Sequence, residues 1–434
     1  MENSSQPETG KWAGRFFTIW GGQALSLFGS ALVQFALIWW LTQESGSATV
    51  LAIASLVAML PQILIGPFAG ALVDRWDRRI IMIAADAMIA AVSLVLAYLF
   101  ATDAVQIWHI YAVMAIRSLG GAFHFPAMAA STPLMVPESQ LTRINGLNQA
   151  LQGVNMLVAP PVGALLIGIL STHWILLIDV GTALLAILPL FFFSIPQPRR
   201  HEPEESEAKP NLLRDVRKGL AYIRTIPGFI AIILMALFLN FLLVPMAALV
   251  PLLVTKHFGK GAIELGIMES AMGIGILAGG ILLSIWGGFK KKITTSLAGI
   301  IGLGIGVMLE GFAPADLFLL AIAGHLTLGF MLPIANGPVF AMMQSIVRPD
   351  MQGRVMSLVN SGATAISPLG LLIAGPFSDW LGIRAWFWAG GILCVLIAVT
   401  AFFVPAIMNV ESHGEAPATP TSEPAQLPVE ERDR

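Results

Sequence analysis

The sequence predicts an all-α integral membrane protein with twelve transmembrane helices in two pseudo-symmetric six-helix halves. Three observations support this fold class. Hydrophobic residues make up 56% of the 434 positions and charged residues only 12%, whereas soluble domains carry about a quarter charged residues. Twelve apolar runs are each long enough to cross roughly 30 Å of hydrocarbon. Finally, motifs of the first half recur about 211 residues later, which indicates an internal repeat.

We expect the twelve apolar runs to be helices. The hydrocarbon core contains no water, so backbone N–H and C=O groups must hydrogen-bond within the protein, and a helix does this within its own segment. The first run is not followed by a small-residue cleavage site, so we expect a retained helix there rather than a signal peptide. The predicted spans are residues 16–42, 48–73, 80–101, 105–127, 144–170, 174–195, 228–254, 263–287, 293–312, 316–340, 355–378 and 384–408.

The spans divide the chain into two halves and two polar segments. We expect an amphipathic stretch on the membrane surface from Leu212 to Ile223. The Pro- and Glu-rich end of the chain predicts a disordered cytoplasmic tail. The predicted limits are 1–195 for the first half, 196–227 for a cytoplasmic linker, 228–408 for the second half and 409–434 for the tail.

Lysine and arginine placement predicts the orientation. With a cytoplasmic N-terminus, 20 of the 24 basic residues fall on the cytoplasmic side, and only Lys256, Lys260 and Arg384 fall outside. This asymmetry follows the rule that cytoplasmic loops are enriched in Lys and Arg. We therefore predict that both termini are cytoplasmic.

The repeat links the ends of the fourth and tenth spans. Val136-Pro137-Glu138 is followed by Arg143, and the corresponding acid and arginine of the second half are Asp350 and Arg354. Six helices separate the two copies, so both lie on one side of the membrane. Parallel repeats of six helices are typical of transporters that bind their substrate between two halves, near the bilayer midplane.

Composition and motif content exclude other classes of function. The net charge is −2 and no basic stripe with interleaved aromatic residues occurs, so we expect no nucleic-acid partner. The single cysteine, Cys394, excludes an internal disulfide and offers no metal cluster. No G-x-x-x-x-G-K-[ST] loop and no nucleophile–base arrangement occurs. We therefore predict a protein that is not an enzyme, has no cofactor, and draws its energy from an ion gradient.

The strongest motif lies between the second and third spans and reads GALVDRWDRR, from Gly70 to Arg79. It resembles the signature loop of the major facilitator superfamily, G-x-L-x-D-R-x-G-R-R, with Asp77 in place of the second glycine. The glycine permits close helix approach, and an aspartate here can meet a helix N-terminus or an arginine across the interface. Surface anchoring is the alternative for Arg75, Arg78 and Arg79. We predict a cytoplasmic gate formed by Gly70, Asp74, Arg75 and Arg78.

Arg117 is the basic residue that falls well inside a predicted span, away from its ends. Inserting a lone arginine near the bilayer centre costs about 3 kcal/mol or more, so it needs a partner or a wet cavity. The run from Arg117 to Ala122 resembles the R-x-x-x-G motif of the superfamily in shortened form, and this resemblance implies a role in proton handling. The alternative is a structural ion pair with an acid of a neighbouring helix.

Acids within spans can exchange protons within the physiological range. By depth, Glu269 and Asp86 are the best candidates, and together with Arg117 they form our predicted proton-coupling set. For Asp179 and Glu310 an internal hydrogen bond is an equally good interpretation. Glu310 also lies near enough to an outer helix end to snorkel to the surface.

The fifth span carries Pro160, Pro161 and Gly163 in a run that resembles the antiporter motif G-P-x-x-G-G, with two glycines replaced by alanine. Such a run would kink the helix and pack it tightly, which limits leak. The alternative is an ordinary proline-kinked membrane helix.

Polar stripes at helical spacing occur in the first and fifth spans. In the superfamily, helices one, four, seven and ten line the central cavity, so the resemblance implies substrate contacts there. Interhelical hydrogen bonding is the alternative. The surrounding Phe, Met and Trp residues suit an amphiphilic substrate. The predicted cavity residues are Gln34, Asn240, His325 and Asn336.

Within the superfamily, the segments 28–42 and 125–147 resemble the bacterial macrolide-efflux branch. The resemblance implies a monomeric drug:proton antiporter of the bacterial inner membrane, whose partners are protons, the lipid bilayer and a small hydrophobic or amphiphilic substrate. One alternative is an exporter of an endogenous metabolite such as a siderophore. The others are a proton-coupled importer and a non-transporting scaffold.

Overall fold

The computed structural model describes residues 12–73, 75–197, 217 and 220–413. Most of the predicted linker, its amphipathic stretch and the predicted tail beyond residue 413 lie outside these residues, as does Asp74 of the predicted gate. The main helices are α1 (Trp12–Ser45), α2 (Ala48–Val73), α3 (Arg78–Ala101), α4 (Ile107–Met135), α5 (Leu141–Ile169), α6 (Thr172–Phe192), α7 (Phe229–Leu252), α8 (Ala262–Trp286), α9 (Lys292–Phe312), α10 (Phe318–Ile346), α11 (Pro349–Ala365), α12 (Ser367–Leu381) and α13 (Ile383–Phe402).

Short helical segments complete the described chain. A 3₁₀ turn, Glu138–Gln140, leads into α5, and a π-helical turn, Leu253–His257, extends α7. A four-residue helix, α14 (Pro405–Met408), and a 3₁₀ turn, Val410–His413, follow α13.

The eleventh span differs from its prediction as one helix. It consists of α11 and α12, which are separated at Ile366. Pro368 lies in the first turn of α12 and has no N–H to continue the α-helical ladder from α11, so the helix is interrupted there. The predicted limits 355–378 were also too short at both ends.

Eleven of the twelve crossings are long and apolar enough to span a membrane by length and composition. The crossing outside this set is α4, whose mean hydropathy is lowered by His109, Arg117 and His124. It is nevertheless a 29-residue helix that packs between α2 and α3. The predicted fold class, twelve helices in two six-helix halves, is therefore confirmed. The predicted residue limits of the halves stay predictions.

Each half is a bundle with its own helix contacts. In the first half α6 packs on α1 and α3, and α4 packs on α2 and α3. In the second, α10 packs on α8 and α9, α13 on α9, and α7 on α12. The main contacts between the halves are α5 on α8 and α2 on α12.

The crossings define two sides of the molecule. The described chain begins with α1 and ends after α13 on the same side, which we name the terminal side, and the opposite side is the far side. The N-terminus of α2, the C-terminus of α5 and the N-terminus of α8 lie on the far side.

Glycines bring backbones of the second half into direct contact. A Cβ on Gly306 of α9 would lie 2.8 Å from the carbonyl oxygen of Gly324 in α10, and a Cβ on Gly304 would lie 2.8 Å from that of Gly391 in α13. Since real Cβ atoms do not approach so closely, only glycine fits at these crossings. Small residues at such crossings are how membrane helices achieve close packing in the absence of a hydrophobic driving force.

Candidate functional site

A buried ion pair lies inside the first half. Arg117 of α4 pairs through Nη1 with Oδ2 of Asp179 in α6, and the Asp179 residue is 0% exposed. Ser93 Oγ accepts from Arg117 at 2.6 Å and donates to Asp179 Oδ2 at 2.9 Å. Ser30 of α1 donates to the other carboxylate oxygen at 3.0 Å. Four helices thus converge on one charge pair whose hydrogen bonds offset the desolvation of both ions.

The structure gives Arg117 an acidic partner on a neighbouring helix, as the ion-pair interpretation requires. The partner is Asp179, for which the sequence also allowed an internal hydrogen bond. The signal that could have found it is a carboxylate buried in an apolar helix, which requires a cation nearby. The role of Arg117 in proton handling stays a prediction.

A second polar cluster lies beside the first. Asp86 of α3 accepts a hydrogen bond from Gln23 Nε2 at 3.0 Å, and the Gln23 Oε1 atom lies 2.7 Å from His124 Nε2. His124 Nε2 also lies 3.4 Å from Asp86 Oδ1. All three side chains are buried. The cluster therefore places a carboxylate and an imidazole, two groups that can exchange protons, next to each other in the bundle.

A cavity of about 240 Å³ connects the two clusters. Arg117 and Ser30 line one part, and Asp86, Gln23 and His124 line another. The hydroxyl of Ser118, another lining residue, is buried without a hydrogen-bond partner in the described chain. A space with several polar groups of this kind can hold water molecules that bridge them.

A larger cavity of about 690 Å³ lies on the terminal side of the first half. Trp20, Phe125 and Met128 contribute apolar wall, and the Trp20 indole donates to Asn148 Oδ1 at 2.7 Å. The two cavities share Gln23, Leu27, Gly121 and His124. The amide side chains of the larger cavity are Gln23, Gln62, Asn145, Asn148, Gln149 and Gln152.

The polar stripe of the fifth span explains this arrangement. Four of its members, from Asn145 to Gln152, recur at the spacing of one helix face and line the larger cavity together. The stripe was visible in the sequence, but our predicted cavity residues did not include it.

The predicted cavity residues are divided among three places. Gln34 lines the smaller cavity of the first half. Asn240 and Asn336 line a separate cavity of about 270 Å³ between α7, α9 and α10. His325 lines none of the cavities described here, and its role in substrate binding stays a prediction. Its side chain instead faces Glu310 of α9.

Of the two interpretations of Glu310, the structure has the internal hydrogen bond and not the snorkelling side chain. The Glu310 residue is 0% exposed, and its Oε1 atom lies 2.9 Å from His325 Nδ1. Glu269 of α8 is half-buried and lies one turn before the point where α8 contacts Gly329 of α10. The predicted coupling acids are therefore in different halves: Asp86 contacts His124 in the first half, and Glu269 lies in α8 of the second half.

The antiporter-like residues of α5 lie at the seam with α8. A Cβ on Gly266 would be 2.9 Å from Ala164 Cβ and 3.0 Å from Pro161 Cα, so the two helices touch closely here. Further along, Ser270 Oγ donates to the carbonyl of Leu157 at 3.1 Å. Pro160 and Pro161 thus face the other half. Gly163 instead packs against Phe35 of α1, because a Cβ there would be 3.0 Å from the ring.

Asp379 closes the far side at the second contact between the halves. This exposed α12 residue accepts hydrogen bonds from the backbone N–H groups of Ala48 at 2.7 Å and Thr49 at 3.0 Å, and from Ser47 Oγ at 2.8 Å. The carboxylate thereby caps the N-terminus of α2 from the opposite half, where the positive end of the helix dipole favours an anion.

Replacing Asp379 with alanine should increase separation of the halves on the far side. Loss of an N-terminal cap costs about 1 kcal/mol, which corresponds to roughly a fivefold rise in the separated population. Spin labels on cysteines replacing Glu44 and Leu381, both exposed, would report the distance in a Cys394→Ala background. Asp103→Asn, an exposed acid on the far side, is the matched control. An unchanged distance distribution would contradict a latch at Asp379.

The predicted terminal-side gate has the following geometry. Asp77 caps α3, since its carboxylate accepts from Arg79 N at 2.9 Å, and Arg78 is buried and donates to the Ala130 carbonyl at 3.0 Å. No atom of the described chain lies within 4 Å of a Cβ built on Gly70, so this glycine makes no close helix contact here, contrary to expectation. Arg75 is exposed. The gating role of these residues stays a prediction.

Comparison with known proteins identifies the family. The model of the Major Facilitator Superfamily matches residues 19–368 and 246–431. The chain is 36% identical to macrolide efflux protein A of Streptococcus pyogenes over 400 residues, which covers 92% of this chain and 98% of the relative. It is 29% identical to the multidrug efflux pump Tap of Mycolicibacterium fortuitum over 401 residues, which covers 88% and 94%.

Solved structures share the fold at low identity. A bacterial homologue of the iron transporter ferroportin in an inward-facing state aligns with a TM-score of 0.67 at 14% identity, covering 89% of this chain and 98% of that one. The nucleoside transporter NupG, as its D323A mutant, aligns with a TM-score of 0.67 at 12% identity, covering 87% and 98%.

Proposed function

The chain belongs to the major facilitator superfamily of transporters, and on that premise we propose that it exports amphiphilic drug-like molecules, macrolides among them, in exchange for protons by alternating access. The observation that carries the proposal is the 690 Å³ cavity of the first half. Its volume is within the range of small-molecule sites, and its wall combines aromatic and aliphatic surface with a few convergent polar groups, as such sites do.

The chemistry of the wall favours amphiphiles over ions or sugars. The amides of α5 can each donate and accept hydrogen bonds, so they match the hydroxyl and carbonyl groups of a polyfunctional molecule without demanding a charge. Trp20 and Phe125 offer flat apolar surface beside them. Named relatives agree, because a macrolide efflux protein and a multidrug efflux pump cover nearly the whole chain.

Alternating access is supported by the asymmetry between the two sides. The seam at Gly266 and the cap at Asp379 hold the halves together on the far side. The large cavity lies toward the terminal side, which the distribution of Lys and Arg predicts to be cytoplasmic. In this arrangement a substrate enters from the cytoplasm, and rocking of the halves about the site would release it outside.

Proton coupling is supported by the two clusters behind the cavity. His124 lines both cavities, and the carboxylate of Asp86 lies 3.4 Å from its ring. A proton taken up here changes the charge next to the substrate site. Proton binding can therefore affect substrate binding, and proton-for-substrate exchange requires this coupling. One proton crossing a potential of 100 mV supplies about 2.3 kcal/mol, enough for a roughly fiftyfold substrate gradient.

The proposal is tested by the accumulation of radiolabelled erythromycin in macrolide-sensitive bacteria that express the chain. We expect lower accumulation than with an empty vector, and a protonophore should restore it. Membrane insertion is verified by immunoblot of the membrane fraction. No difference from the empty vector, with the protein present in the membrane, would contradict macrolide export and would direct the assay to endogenous metabolites. Lower accumulation that survives the protonophore would contradict the proton as driving ion.

A further inference from the structure

The second half contains a buried acid–base pair that the proposed exchange does not yet use. Glu310 and His325 are 0% and 3% exposed, and they face each other across the α9–α10 contact. Each has one polar atom that contacts the other residue. The remaining polar atoms, Glu310 Oε2 and His325 Nε2, are buried without a hydrogen-bond partner in the described chain.

Two buried polar atoms without hydrogen-bond partners cost free energy unless a ligand binds to the pair. An ionised carboxylate can only accept hydrogen bonds, so Nδ1 of a neutral His325 must carry the hydrogen in the bond to Glu310, and Nε2 then has a free lone pair. Such a pair has a net charge of −1 in a bundle where desolvation of an unpaired charge costs several kcal/mol. A proton on His325 Nε2 would convert it into a neutral ion pair.

A metal ion is not supported as the ligand. Among the described residues, no group of three His, Cys, Asp or Glu side chains has the geometry to hold a metal. Oxygen- or nitrogen-rich cages need more ligands than two side chains offer. A proton needs only one bond, and the free lone pair on His325 Nε2 can form it.

From this geometry we propose that the Glu310–His325 pair is a proton-binding site of the second half, reached through Glu269. The proposal rests on the proposed proton-driven export and deepens it. In the step envisaged, a hydronium ion from the far side transfers its proton to the Glu269 carboxylate and leaves water. The protonated Glu269 then passes that proton to His325 Nε2 and becomes a carboxylate again, so that the pair gains one proton and one positive charge.

The position of Glu269 connects this site to the gate. Its neighbours on α8, Gly266 and Ser270, form the seam with α5. One turn further along, α8 contacts α10 at Gly329, and His325 lies one turn before that glycine, so Glu269 and His325 occupy the same level of the α8–α10 contact. Separation of the halves at this seam would expose Glu269 to water on the far side, where the proton enters. Closure of the seam would leave the proton on the pair.

The surrounding charges are few. The charged or titratable groups on the packed elements include Glu264 and Glu269 on α8, Arg384 and Cys394 on α13, and His257 in the π-helical turn. Glu264 accepts from the Gly261 N–H at 3.0 Å, Arg384 donates to the Gly311 carbonyl at 2.7 Å, and His257 contacts the Ala313 carbonyl at 2.8 Å. α7 carries no titratable side chain. Glu264, Arg384 and His257 thus already have backbone partners, and Glu269 is the acid at the α8–α10 contact, on the level of His325.

The test compares two transport modes of the purified protein in liposomes. Glu310→Gln keeps the shape and a hydrogen bond to His325 but cannot form the ion pair. We expect wild-type protein and the control Asp316→Asn, an exposed acid nearby on the far side, to accumulate erythromycin against its gradient when a proton gradient is applied. Glu310→Gln should lose this uphill transport and keep substrate-for-substrate exchange within about twofold.

The outcomes separate this proposal from the one on which it rests. If wild-type protein shows no proton-driven accumulation, the proposed function fails. If wild-type and Glu310→Gln proteins both drive uphill transport, the pair is only structural and the present proposal fails. Because the first readout requires transport, the infrared carboxyl and imidazole bands are also followed against pH in folded protein. A pH-dependent imidazole signal that Glu310→Gln and His325→Gln abolish supports the site, and identical spectra in all three proteins overturn it.

Discussion

Arg117→Ala is expected to abolish export and to destabilise the folded protein by about 3–5 kcal/mol, because it leaves the carboxylate of Asp179 buried without its cation. The Asp179 residue is 0% exposed, so its carboxylate depends on Arg117 for its countercharge. Thermal unfolding of the detergent-solubilised protein measures the loss of stability, and erythromycin accumulation measures the loss of export.

A double variant separates the structural from the transport role of Arg117. Arg117→Ala combined with Asp179→Asn removes both charges, and Ser30 and Ser93 can still hydrogen-bond the amide. We expect most of the lost stability to return while export stays at the level of the empty vector. Return of export together with stability would mean that the pair only holds α4 and α6 together.

Gly266→Leu should stop transport by a different route, since it wedges the far-side seam apart. The Cβ alone would lie 2.9 Å from Ala164 Cβ and 3.1 Å from the carbonyl oxygen of Pro160, and leucine adds three more carbons that well-packed contacts cannot absorb. We expect the spin-label distance between residues 44 and 381 to lengthen and export to fall by at least about tenfold.

The matched control lies on the same helix. No atom lies within 4 Å of a Cβ built on Gly280, so Gly280→Leu adds the same side chain to α8 where there is space. Its export and its spin-label distances should match those of the unsubstituted protein. If both leucine variants lose export equally, the cause is the loss of glycine from α8 and not the seam.

The membrane spans could be predicted because the bilayer imposes one simple requirement, an apolar helix of sufficient length. The errors occurred where local backbone chemistry decided the result. The break at Ile366 depends on Pro368, a residue that many membrane helices accommodate with only a kink. α4 continues to Met135 through two prolines, past the predicted end at residue 127.

The site was harder to predict, because its contacts join distant helices. Arg117 and Asp179 are 62 residues apart, and nothing in a single sequence specifies which of several acids faces the arginine. His325 lies in α10, a helix that is apolar on all sides, so periodicity does not indicate which way its few polar residues point. The α5 stripe was the exception, since four amides at helical spacing do indicate one face.

The backbone contacts of α9 with α10 and α13 determine how motion is distributed in the molecule. Where Gly306 meets Gly324 and Gly304 meets Gly391, the helix backbones touch, so little side-chain volume is available there to absorb a displacement by changing rotamer. We therefore expect α9, α10 and α13 to move together as one rigid body. We expect flexibility where side chains and cavities separate the helices: around the polar clusters of the first half, at the 270 Å³ cavity beside α7, and at the break between α11 and α12.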